Sequence, residues 1–577
     1  MRRPNRRPNY TKTEDIENYE IAPDYMIYKD GVYTVTVNGS TGKEDSRNTD
    51  SVTVIQYAID QLASGGKIYF KKGTYLIDSS ILPTSNITFQ GSGAGTVFSD
   101  SVYIANRINI SNADNVTLRD FKLKINYDGG DGGFGINLIN SDNIVIDNIF
   151  IEGMNTNASP RWGIATRNCR NVKVVNCHIE HTEFEAMSFW EDTQAGIMAN
   201  NTIRACGFGC VAERTGTQGC VITGNTITES TSASFQILLR NACNCVVSNN
   251  TIISDAIGGN GISLDSNANN NLVSGNVISS EGNSHYFAVG MKIDYHSKNN
   301  LISDNVITKV ATGFLIAADS SWNTIKNNHI QGHAWGMQLK SKFNIIDGNS
   351  FVFCGAQSYT AAMKLFAGTS DNNRITNNLF LSPYRYAIMF EPGAGDTAIN
   401  NLIKNNIIND PSATINDVLN AAAVLGENHI QFEFSGDWQI GQYIDVDGET
   451  HRIGDITTPT DTYTPATVWL QANLAGDHAS GATVTGIKKL GRAIQIGGAG
   501  TQHPNYYIDN FIADAPAGYS IYDENNTDIV RGNIGADEFS VPTVVPDEPA
   551  IGSLWYNTAT HVLSAWDGNS WETVTLT

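Results

Sequence analysis

A short phrase recurs along the middle of the sequence, and its fifth residue supplies most of the side chains that could do chemistry. The phrase usually has a small first residue and apolar second and fourth residues, as in GIATR, AMSFW, CVAER, GISLD and GMKID. In an extended strand, the second and fourth side chains point inward and the third and fifth point outward. The fifth position gives a column of Ile139, Arg167, Trp190, Arg214, Arg240, Asp265, Asp294, Ala317, Lys340, Phe366 and Glu391.

The central part of this column combines side chains that suit a sugar polymer. A flat indole such as that of Trp190 stacks on the face of a sugar ring, and arginine pairs with carboxylates through two parallel hydrogen bonds. Parallel strands lie roughly 4.8 Å apart, so side chains of successive repeats can touch. The run from Arg167 to Asp294 therefore predicts a groove for an extended glycan, and its arginines favour an acidic one. The structural alternative is a surface ladder of Arg–Asp pairs.

Asp265 and Asp294 occupy the fifth position of consecutive repeats. Two carboxylates held close together cannot both ionise easily, so one of them becomes a candidate general acid. Their expected spacing suits a retaining glycosidase, in which the two carboxyl groups are about 5–5.5 Å apart. The alternative is that Arg240 and Lys292 simply neutralise the pair.

Glu213 falls at the fourth position of its phrase, CVAER, where neighbouring repeats are mostly apolar. A partly buried carboxyl group costs free energy unless it is paired or neutral. Either the strand ends locally at Glu213, or its carboxyl group is kept protonated for acid catalysis. The catalytic candidates are therefore Asp265, Asp294 and Glu213.

The turn after Asp294 adds Tyr295 and His296, and Lys292 occupies the preceding outward position. Each of these three could remove the C5 proton in a lyase reaction while an arginine neutralises the uronate. No metal-ligand spacing is apparent, so no cofactor is predicted, with Ca²⁺ on this Asp-rich surface as the open alternative. The candidates for substrate binding are Arg167, Trp190, Arg214, Arg240, Lys292, Tyr295 and His296.

These positions belong to a longer repeat that runs from Asn143 to Asn409, with phrases such as NVKVVNCHIE and NCVVSNNTII. Each repeat contains one Asn-type turn position, at intervals of 21 to 29 residues. A period of this length indicates a solenoid, and the alternating β-branched residues predict strands instead of helix pairs. The turn positions are Asn148, Asn176, Asn200, Gly224, Asn249, Gly275, Asp304, Asn327, Gly348, Asn377 and Asn405.

The composition excludes several classes of partner. The chain has 577 residues and a net charge of −21, which argues against nucleic acid or an anionic membrane as partner. No apolar run approaches the roughly 18 residues that a membrane-spanning helix needs. The basic start, MRRPNRRPNYTK, lacks the apolar segment of a secretory signal. Cys220 and Cys245 take inward positions and are predicted to be buried thiols, which indicates assembly in the reducing cytoplasm.

The beginning of the repeat region carries a family resemblance. In SVTVIQYAIDQLASGGKIYFKKGTYLI, an amphipathic helix capped by Asp50 or Ser51 precedes the strands GGKIYF and GTYLI. Its apolar face would carry Val54, Ile55, Ala58, Ile59 and Leu62. The segment resembles the opening of the pectate-lyase-like right-handed parallel β-helix superfamily, although Lys71 stands where that family often has proline. The resemblance implies a right-handed coil with its open end capped by the helix, and it implies no particular reaction.

The pattern changes after Asn409. Segments such as IQFEF and GQYIDVDGETHRIGDI indicate short antiparallel strands. The last segment, GSLWYNTATHVLSAWDGNSWETVTLT, resembles terminal modules of phage tail-fibre and tailspike proteins. The predicted organisation is a leader (1–45), a capped parallel β-helix (46–424), an inserted small β-domain (425–488), resumed coils (489–535), a Pro-rich linker (536–549) and a C-terminal β module (550–577).

The sequence thus predicts an all-β chain, a right-handed parallel β-helix with an N-terminal capping helix, a small antiparallel insertion and a C-terminal β module. The resemblances and the outward column together predict a tailspike-like depolymerase that hydrolyses an extended, acidic bacterial surface polysaccharide. The resemblance also implies a homotrimer on a phage tail or in the extracellular space. The Gly-His-Gly and Arg-Ile-Lys motifs of polygalacturonases are absent. A polysaccharide lyase and a non-catalytic glycan-binding spike are the alternatives.

Overall fold

The computed structural model describes the chain from residue 22 to residue 409 almost continuously. The gaps are residues 127–132, 154–161, 230–234, 255–258, 281–286, 355–360, 367–368, 382, 384–385 and 393–394, and beyond 409 separate short stretches between 414 and 573 are described. The chain divides into two compact units, Met1–Ile330 with Lys340–Ile345, and Gln331–Leu339 with Ile346–Thr577. Of the predicted leader at residues 1–45, residues 1–21 lie outside the described residues, as does the predicted linker at 536–549.

The first unit begins with three antiparallel strands and a helix. The strands are Tyr25–Asp30, Tyr33–Asn38 and Glu44–Asn48, and the helix is Ser51–Gln61. Asp50 caps the helix by accepting hydrogen bonds from the N–H groups of Val52 and Thr53. The predicted helix is therefore present with its apolar face buried, and its role in closing the coil stays a prediction. Within the part of the chain described here, no helix has the length and apolar character for a membrane crossing.

Most of the first unit is a parallel β-helix with two sets of strands. Nine strands of this unit belong to one parallel sheet, and these nine are called the site sheet below: Asn106–Ser111, Phe134–Ile139, Trp162–Arg167, Glu185–Trp190, Phe208–Glu213, Phe235–Arg240, Gly259–Asp265, Phe287–Ile293 and Thr312–Ile316. The other strands are Gly66–Phe70, Gly73–Ile77, Ile87–Gln90, Thr96–Asp100, Thr117–Lys124, Val145–Glu152, Lys173–Val175, His178–Glu180, Ile197–Ala199, Thr202–Arg204, Val221–Thr223, Thr226–Thr228, Val246–Ser248, Thr251–Ser254, Leu272–Ser274, Val277–Ser280, Leu301–Ser303, Val306–Thr308 and Thr324–Lys326.

The Asn-type turns predicted from the sequence are present in the structure. All of the turn positions predicted from the sequence have positive φ, between 52° at Asn148 and 66° at Gly275 and Gly348. Glycine and asparagine tolerate this left-handed conformation best, which explains why these two types dominate. The residue after each turn position points inward, and from Asn201 onward it is usually a buried asparagine.

These buried asparagines bond to one another from coil to coil. The side-chain oxygen of Asn250 accepts from the N–H and the side-chain amide of Asn225, at 3.0 and 2.9 Å. The amide of Asn250 donates to the carbonyl of Ile222 and to the side chain of Asn276, both at 2.9 Å. The same set of bonds recurs at Asn305. This inner Asn ladder satisfies backbone groups that the short strands leave exposed at the corner.

The eight cysteines are reduced thiols, and Cys220 and Cys245 are 0% and 1% exposed. Burial raises the pKa of the Cys210 thiol, which leaves little reactive thiolate at neutral pH. We expect a thiol reagent to react readily only with the half-buried Cys243 in the native protein, and with all eight cysteines after denaturation. Intact-mass analysis without reductant should give the mass of a chain with eight free thiols. A loss of two hydrogens per cysteine pair would contradict this prediction.

The second unit contains parallel coils and two antiparallel groups. Its parallel strands are Trp335–Leu339, Ser350–Cys354, Ala361–Phe366, Arg374–Thr376, Leu379–Leu381, Tyr386–Glu391, Leu402–Lys404, Ile407–Asn409, Arg492–Ile496, Tyr506–Ile508, Phe511–Ala513, Ile521–Tyr522, Ile529–Arg531 and Ile534–Gly535. The antiparallel strands are Thr414–Val418, His429–Phe432, Tyr443–Val446, Glu449–Thr457, Ala466–Leu470 and Thr483–Ile487, and then Leu554–Asn557, Val562–Trp566 and Trp571–Thr573. Two strands straddle the unit boundary, His329–His333 and Ile345–Asp347.

The first antiparallel group is inserted between paired coils. Tyr386–Glu391 pairs in parallel with Arg492–Ile496, and Leu402–Lys404 pairs with Tyr506–Ile508. The coil therefore continues after an excursion of about a hundred residues, since Asn401 bonds to Asn505 at a sequence separation of 104. The predicted domain boundaries themselves stay a prediction.

Candidate functional site

The outward column predicted from the sequence is present in the site sheet, and its residues pair with one another from strand to strand. Arg167 pairs with Trp190, Trp190 with Glu213, Glu213 with Arg240, and Arg240 with Asp265. Asp294 follows the next strand, and its N–H donates to the carbonyl of Leu264 at 2.8 Å. We call these residues, Arg167, Trp190, Glu213, Arg240, Asp265 and Asp294, the charged column.

One coil is shifted by one residue from the prediction. Cys210 pairs with Met187 and Ile237 and is buried, so the phrase begins at Gly209 and Glu213 takes the outward fifth position. The prediction that Glu213 points inward is therefore wrong. Arg214, predicted at that outward position, lies beyond the strand with φ at 77°. The error arises because Gly209 and Cys210 are both small, and either could open the phrase.

The charged column is an ion-pair network. Glu213 lies between two guanidinium groups, with Arg214 Nε 3.5 Å from its Oε1 and Arg240 Nη1 3.5 Å from its Oε2. Arg240 Nε also contacts Asp265 Oδ2 at 3.1 Å. Arg167 and Arg214 share the carboxylate of Glu191, at 3.1 and 2.5 Å. The arginines predicted to bind substrate therefore already contact carboxylates of the protein itself.

Asp265 and Asp294, the predicted catalytic pair, each have their own cation. Asp265 contacts Arg240, and Asp294 Oδ2 lies 2.5 Å from Lys292 Nζ. These contacts correspond to the structural alternative stated from the sequence, in which the two cations neutralise the two carboxylates. Tyr295 is 61% exposed in the following turn, and His296 Nδ1 lies 4.0 Å from a carboxylate oxygen of Asp319.

A row of aromatic side chains runs along the opposite end of the same strands. Phe134 stacks on Trp162 with ring centroids 4.7 Å apart, and Phe208 lies between Phe184 at 6.3 Å and Phe235 at 5.7 Å. Trp162 lies 5.5 Å from Phe184, which makes the row continuous. We call these five residues the aromatic row. Sequence reasoning missed it, although an aromatic residue directly before the repeated phrase, as in FGINL, WGIAT and FGCVA, was the available signal.

Trp190 is not the open stacking platform that the sequence predicted. It is 6% exposed, the ring of Trp162 meets it edge-on at 5.5 Å, and the guanidinium group of Arg214 lies 5.4 Å from its centroid. Trp190 therefore joins the aromatic row to the charged column, and its indole N–H is buried without a hydrogen-bond partner.

A cavity of about 290 Å³ opens between the aromatic row and the charged column. Val211 and Leu238, at the third position of their phrases, form its apolar floor and are 1% and 2% exposed. Glu185 and Glu213 both line the cavity. Its volume corresponds to about ten water molecules of liquid, which leaves room for a small organic group.

Four buried polar atoms in or beside this cavity have no hydrogen-bond partner in the structure. They are Trp162 Nε1, Glu185 Oε2, Ser188 Oγ and Trp190 Nε1, none of which meets hydrogen-bond geometry, although the Trp162 indole N–H is near enough to the Glu185 carboxyl group to lower its pKa as a donor. A buried polar atom left without a partner costs roughly 1–3 kcal/mol, so native proteins rarely keep several together. Because the four belong to two neighbouring strands, they indicate a place where a polar ligand supplies the missing partners.

Glu185 differs from the other acidic residues of the site in its electrostatics. Burial raises the pKa of the Glu185 carboxyl group to about 7, and the negative charge of Glu213 acts in the same direction. The residue's own backbone N–H, the nearby Trp162 indole and the Arg214 charge lower this pKa to a smaller extent. The site thus combines one carboxyl group that is protonated below neutral pH with ion-paired carboxylates.

Comparison with known families supports the fold of the first unit and of part of the second. Residues 38–252 match the family model described as right handed beta helix region, and residues 215–359 and 289–420 match the model described as periplasmic copper-binding protein (NosD). The chain folds as a parallel β-helix, and its residues 38–252 resemble right-handed β-helix proteins, in agreement with the resemblance at residues 45–100. No curated protein sequence matches the chain.

The second family description mentions copper, and the part of the chain that the structure describes shows no cluster of ligands for it. Among the described residues, no three His, Cys, Asp or Glu side chains come together in a way that could hold a metal ion. Copper sites are built from such clusters of imidazole, thiolate or thioether groups. We therefore assign no step to a metal.

Solved structures of phage tailspikes are similar to the chain. A tailspike protein mutant of E. coli bacteriophage HK620 in complex with a pentasaccharide is 12% identical, with 77% of this chain and 90% of that chain covered and a TM-score of 0.47. A double mutant of the same tailspike is 11% identical with the same coverage and TM-score. The tailspike in complex with a pentasaccharide is 12% identical with a TM-score of 0.44. At these values the site of this chain has to be interpreted from its own residues.

Proposed function

We propose that the cavity and the adjoining site sheet bind an extended polysaccharide and that the protein cleaves it by hydrolysis. The observation that carries this proposal is the cluster of four unpartnered polar atoms between the aromatic row and the charged column. A sugar ring has hydroxyl groups that satisfy indole N–H, serine and carboxyl groups, and apolar C–H faces that pack on aromatic rings.

The geometry of the sheet favours a polymer over a single sugar. The strands that carry the charged column run from Trp162–Arg167 to Phe287–Ile293 in unbroken parallel pairing. With strands roughly 4.8 Å apart, these six strands span about 24 Å. Ionic and aromatic side chains line that whole distance, so several consecutive sugar units would make contact.

The ion pairs of the site indicate whether the bound polysaccharide needs acidic groups. An acidic polysaccharide would have to compete with Glu191, Glu213 and Asp265 for Arg167, Arg214 and Arg240. We therefore propose that binding does not depend on uronate groups, and the earlier preference for an acidic glycan stays a prediction for the panel below to decide.

Hydrolysis is proposed over elimination because of the carboxyl groups. Glu213, Asp265 and Asp294 are held beside cations, which suits the ionised partner in glycoside hydrolysis. A lyase would need a base for the C5 proton, and the Lys292 amine is already bonded to Asp294. The homotrimer and the phage-tail location implied by the C-terminal resemblance stay predictions.

A panel of purified bacterial capsular and O-antigen polysaccharides, neutral and acidic, tests the proposal. The expected result is an increase in reducing ends on at least one polymer, without the ultraviolet absorbance of an unsaturated uronate. Appearance of that absorbance would establish a lyase. Tight binding with no new reducing ends would establish a non-catalytic spike.

Replacing Trp190 with phenylalanine should weaken binding of the polysaccharide identified in the panel by about tenfold, which corresponds to about 1.4 kcal/mol. The change keeps an aromatic ring in place and removes the buried indole N–H that has no partner in the protein. Isothermal titration calorimetry measures the effect. Trp322→Phe is the matched control, because Trp322 is 57% exposed and stacked on Phe343, outside the cavity. Equal affinities for the two variants would place the binding site elsewhere.

A further inference from the structure

We propose that Glu185 is the proton donor of the cleavage reaction and that Glu213 is the carboxylate that activates the attacking water. This inference rests on the proposed function of the same cavity. It adds a residue that the outward column does not contain, because Glu185 occupies the first position of its strand, among the aromatic row.

Glycoside hydrolysis needs two carboxyl groups in different protonation states, one acid and one base. Glu213, Asp265 and Asp294 each have a cationic nitrogen within 3.5 Å. Each of these three carboxyl groups already contacts a cation of the protein, whereas a proton donor has to be free to meet the glycosidic oxygen. The charged column therefore supplies bases and lacks a donor.

Glu185 has the surroundings that a donor needs. It lies in register with Phe208, and Trp162 and Phe184 are in the same wall of the cavity. Its Oε2 atom is buried without a hydrogen-bond partner, and no described cation lies within ion-pair distance of it. Apolar walls disfavour the charged form of a carboxyl group, which accounts for the raised pKa.

Glu185 and Glu213 enter the cavity from opposite ends of neighbouring strands. Glu213 lies opposite Trp190, five residues beyond Glu185, so the two backbone positions are separated by roughly 16 Å at 3.3 Å per residue. Both side chains line the cavity, and the charge of Glu213 acts on the Glu185 carboxyl group. Two carboxyl groups held on different strands leave space for a water, as in inverting enzymes, whose carboxyl groups are about 6.5–9.5 Å apart.

The reaction consumes one water and no other reagent. The proton of the Glu185 carboxyl group passes to the glycosidic oxygen as the bond between that oxygen and the anomeric carbon breaks. Glu213 takes a proton from water, and the water oxygen bonds to the anomeric carbon on the opposite face. Proton exchange with solvent then restores both carboxyl groups.

Glu185→Gln is the decisive variant, with Glu183→Gln as the matched control at an exposed glutamate two residues away. We expect Glu185→Gln to lower turnover of the panel polysaccharide by about 10³-fold while its affinity changes little. The control should keep wild-type turnover, and the product should show an inverted anomeric configuration by NMR. Retained configuration, or near-full activity of Glu185→Gln, would overturn the assignment.

The dependence of folding stability on pH gives a readout that needs no substrate. The folded pKa of Glu185, about 7, lies above the ordinary value of 4.5, so folding favours the protonated form. The stabilising contribution is fully present below pH 4.5 and is lost as the pH rises through about 7. The charged groups that share the cavity, Glu213, Arg214 and Arg240, are kept in both proteins.

Wild type should therefore lose stability relative to Glu185→Gln between pH 5 and pH 8, as measured by urea unfolding. Parallel curves for the two proteins would show that Glu185 is ionised throughout and would overturn the donor role. If the curves diverge as expected but wild type cleaves no polysaccharide, the proposed function fails instead, and Glu185 is left as a protonated group of a binding cavity.

Discussion

Replacing Asn250 with leucine is expected to lower the free energy of unfolding by about 4 kcal/mol or more. The side chain is fully buried and takes part in four hydrogen bonds, to Asn225, Asn276 and the carbonyl of Ile222. Leucine fills a similar volume but removes the acceptor of the Asn225 N–H and the donor to the Ile222 carbonyl, whereas Asn276 Oδ1 still accepts from the backbone N–H of residue 250 and the Asn225 amide still donates to Met198. Each buried group that loses its hydrogen bond costs roughly 1–3 kcal/mol, so the summed cost exceeds the free energy gained by burying the apolar leucine side chain. Urea unfolding followed by circular dichroism measures the change.

The neighbouring residue provides the control. Asn249 occupies the turn position with φ at 54°, and Gly224 and Gly275 occupy the same position on the adjacent coils with φ at 64° and 66°. Asn249→Gly should therefore change the free energy of unfolding by less than about 1 kcal/mol. A comparable decrease in the free energy of unfolding of both variants would show that the corner is sensitive to any substitution. It would contradict a specific role of the inner Asn ladder.

Glu213→Gln is expected to reduce hydrolysis of the panel polysaccharide by about 10³-fold or more. The carboxylate lines the cavity between Arg214 and Arg240, and glutamine keeps the shape while it removes the base. Initial rates of reducing-end formation, with affinity measured separately, distinguish a loss of turnover from a loss of binding. Circular dichroism confirms that the variant is folded.

Asp294→Asn is the comparison for this variant, because Asp294 is also ion-paired but is not part of the cavity wall. We expect it to lose far less activity than Glu213→Gln. The opposite ranking, with Asp265→Asn and Asp294→Asn inactive and Glu213→Gln active, would move the reaction to the pair first predicted from the sequence.

Much of the fold was predictable because a solenoid repeats its local rules. The turn positions were identified from Asn and Gly spacing, and the structure gives all of them positive φ. The outward column was also predictable, since alternation along a strand fixes which side chains share a face. The single register error, at Cys210, occurred where two consecutive small residues made the start of the phrase ambiguous.

The site itself was less predictable, for physical reasons. Glu185 stands where neighbouring repeats have Trp162 and Phe208, and only the packed structure shows that a carboxyl oxygen of Glu185 is buried at the cavity that these rings line. Alternation identifies faces and says nothing about which cation a carboxylate contacts. For that reason the pairing of Asp294 with Lys292 could be stated only as an alternative until distances were known.

The inner Asn ladder also has a consequence for how such a molecule can change over generations. Successive ladder residues are separated by 24, 25, 26 and 29 positions from Asn201 to Asn305, yet the amide contacts stay at 2.9 Å. The number of residues between successive asparagines of the ladder therefore varies, whereas the contact between those asparagines stays the same. Duplicating or deleting one whole coil would keep the asparagine contacts between the remaining coils and would change the length of the site sheet by roughly 4.8 Å. The length of the sheet and the side chains of its loops can therefore evolve separately.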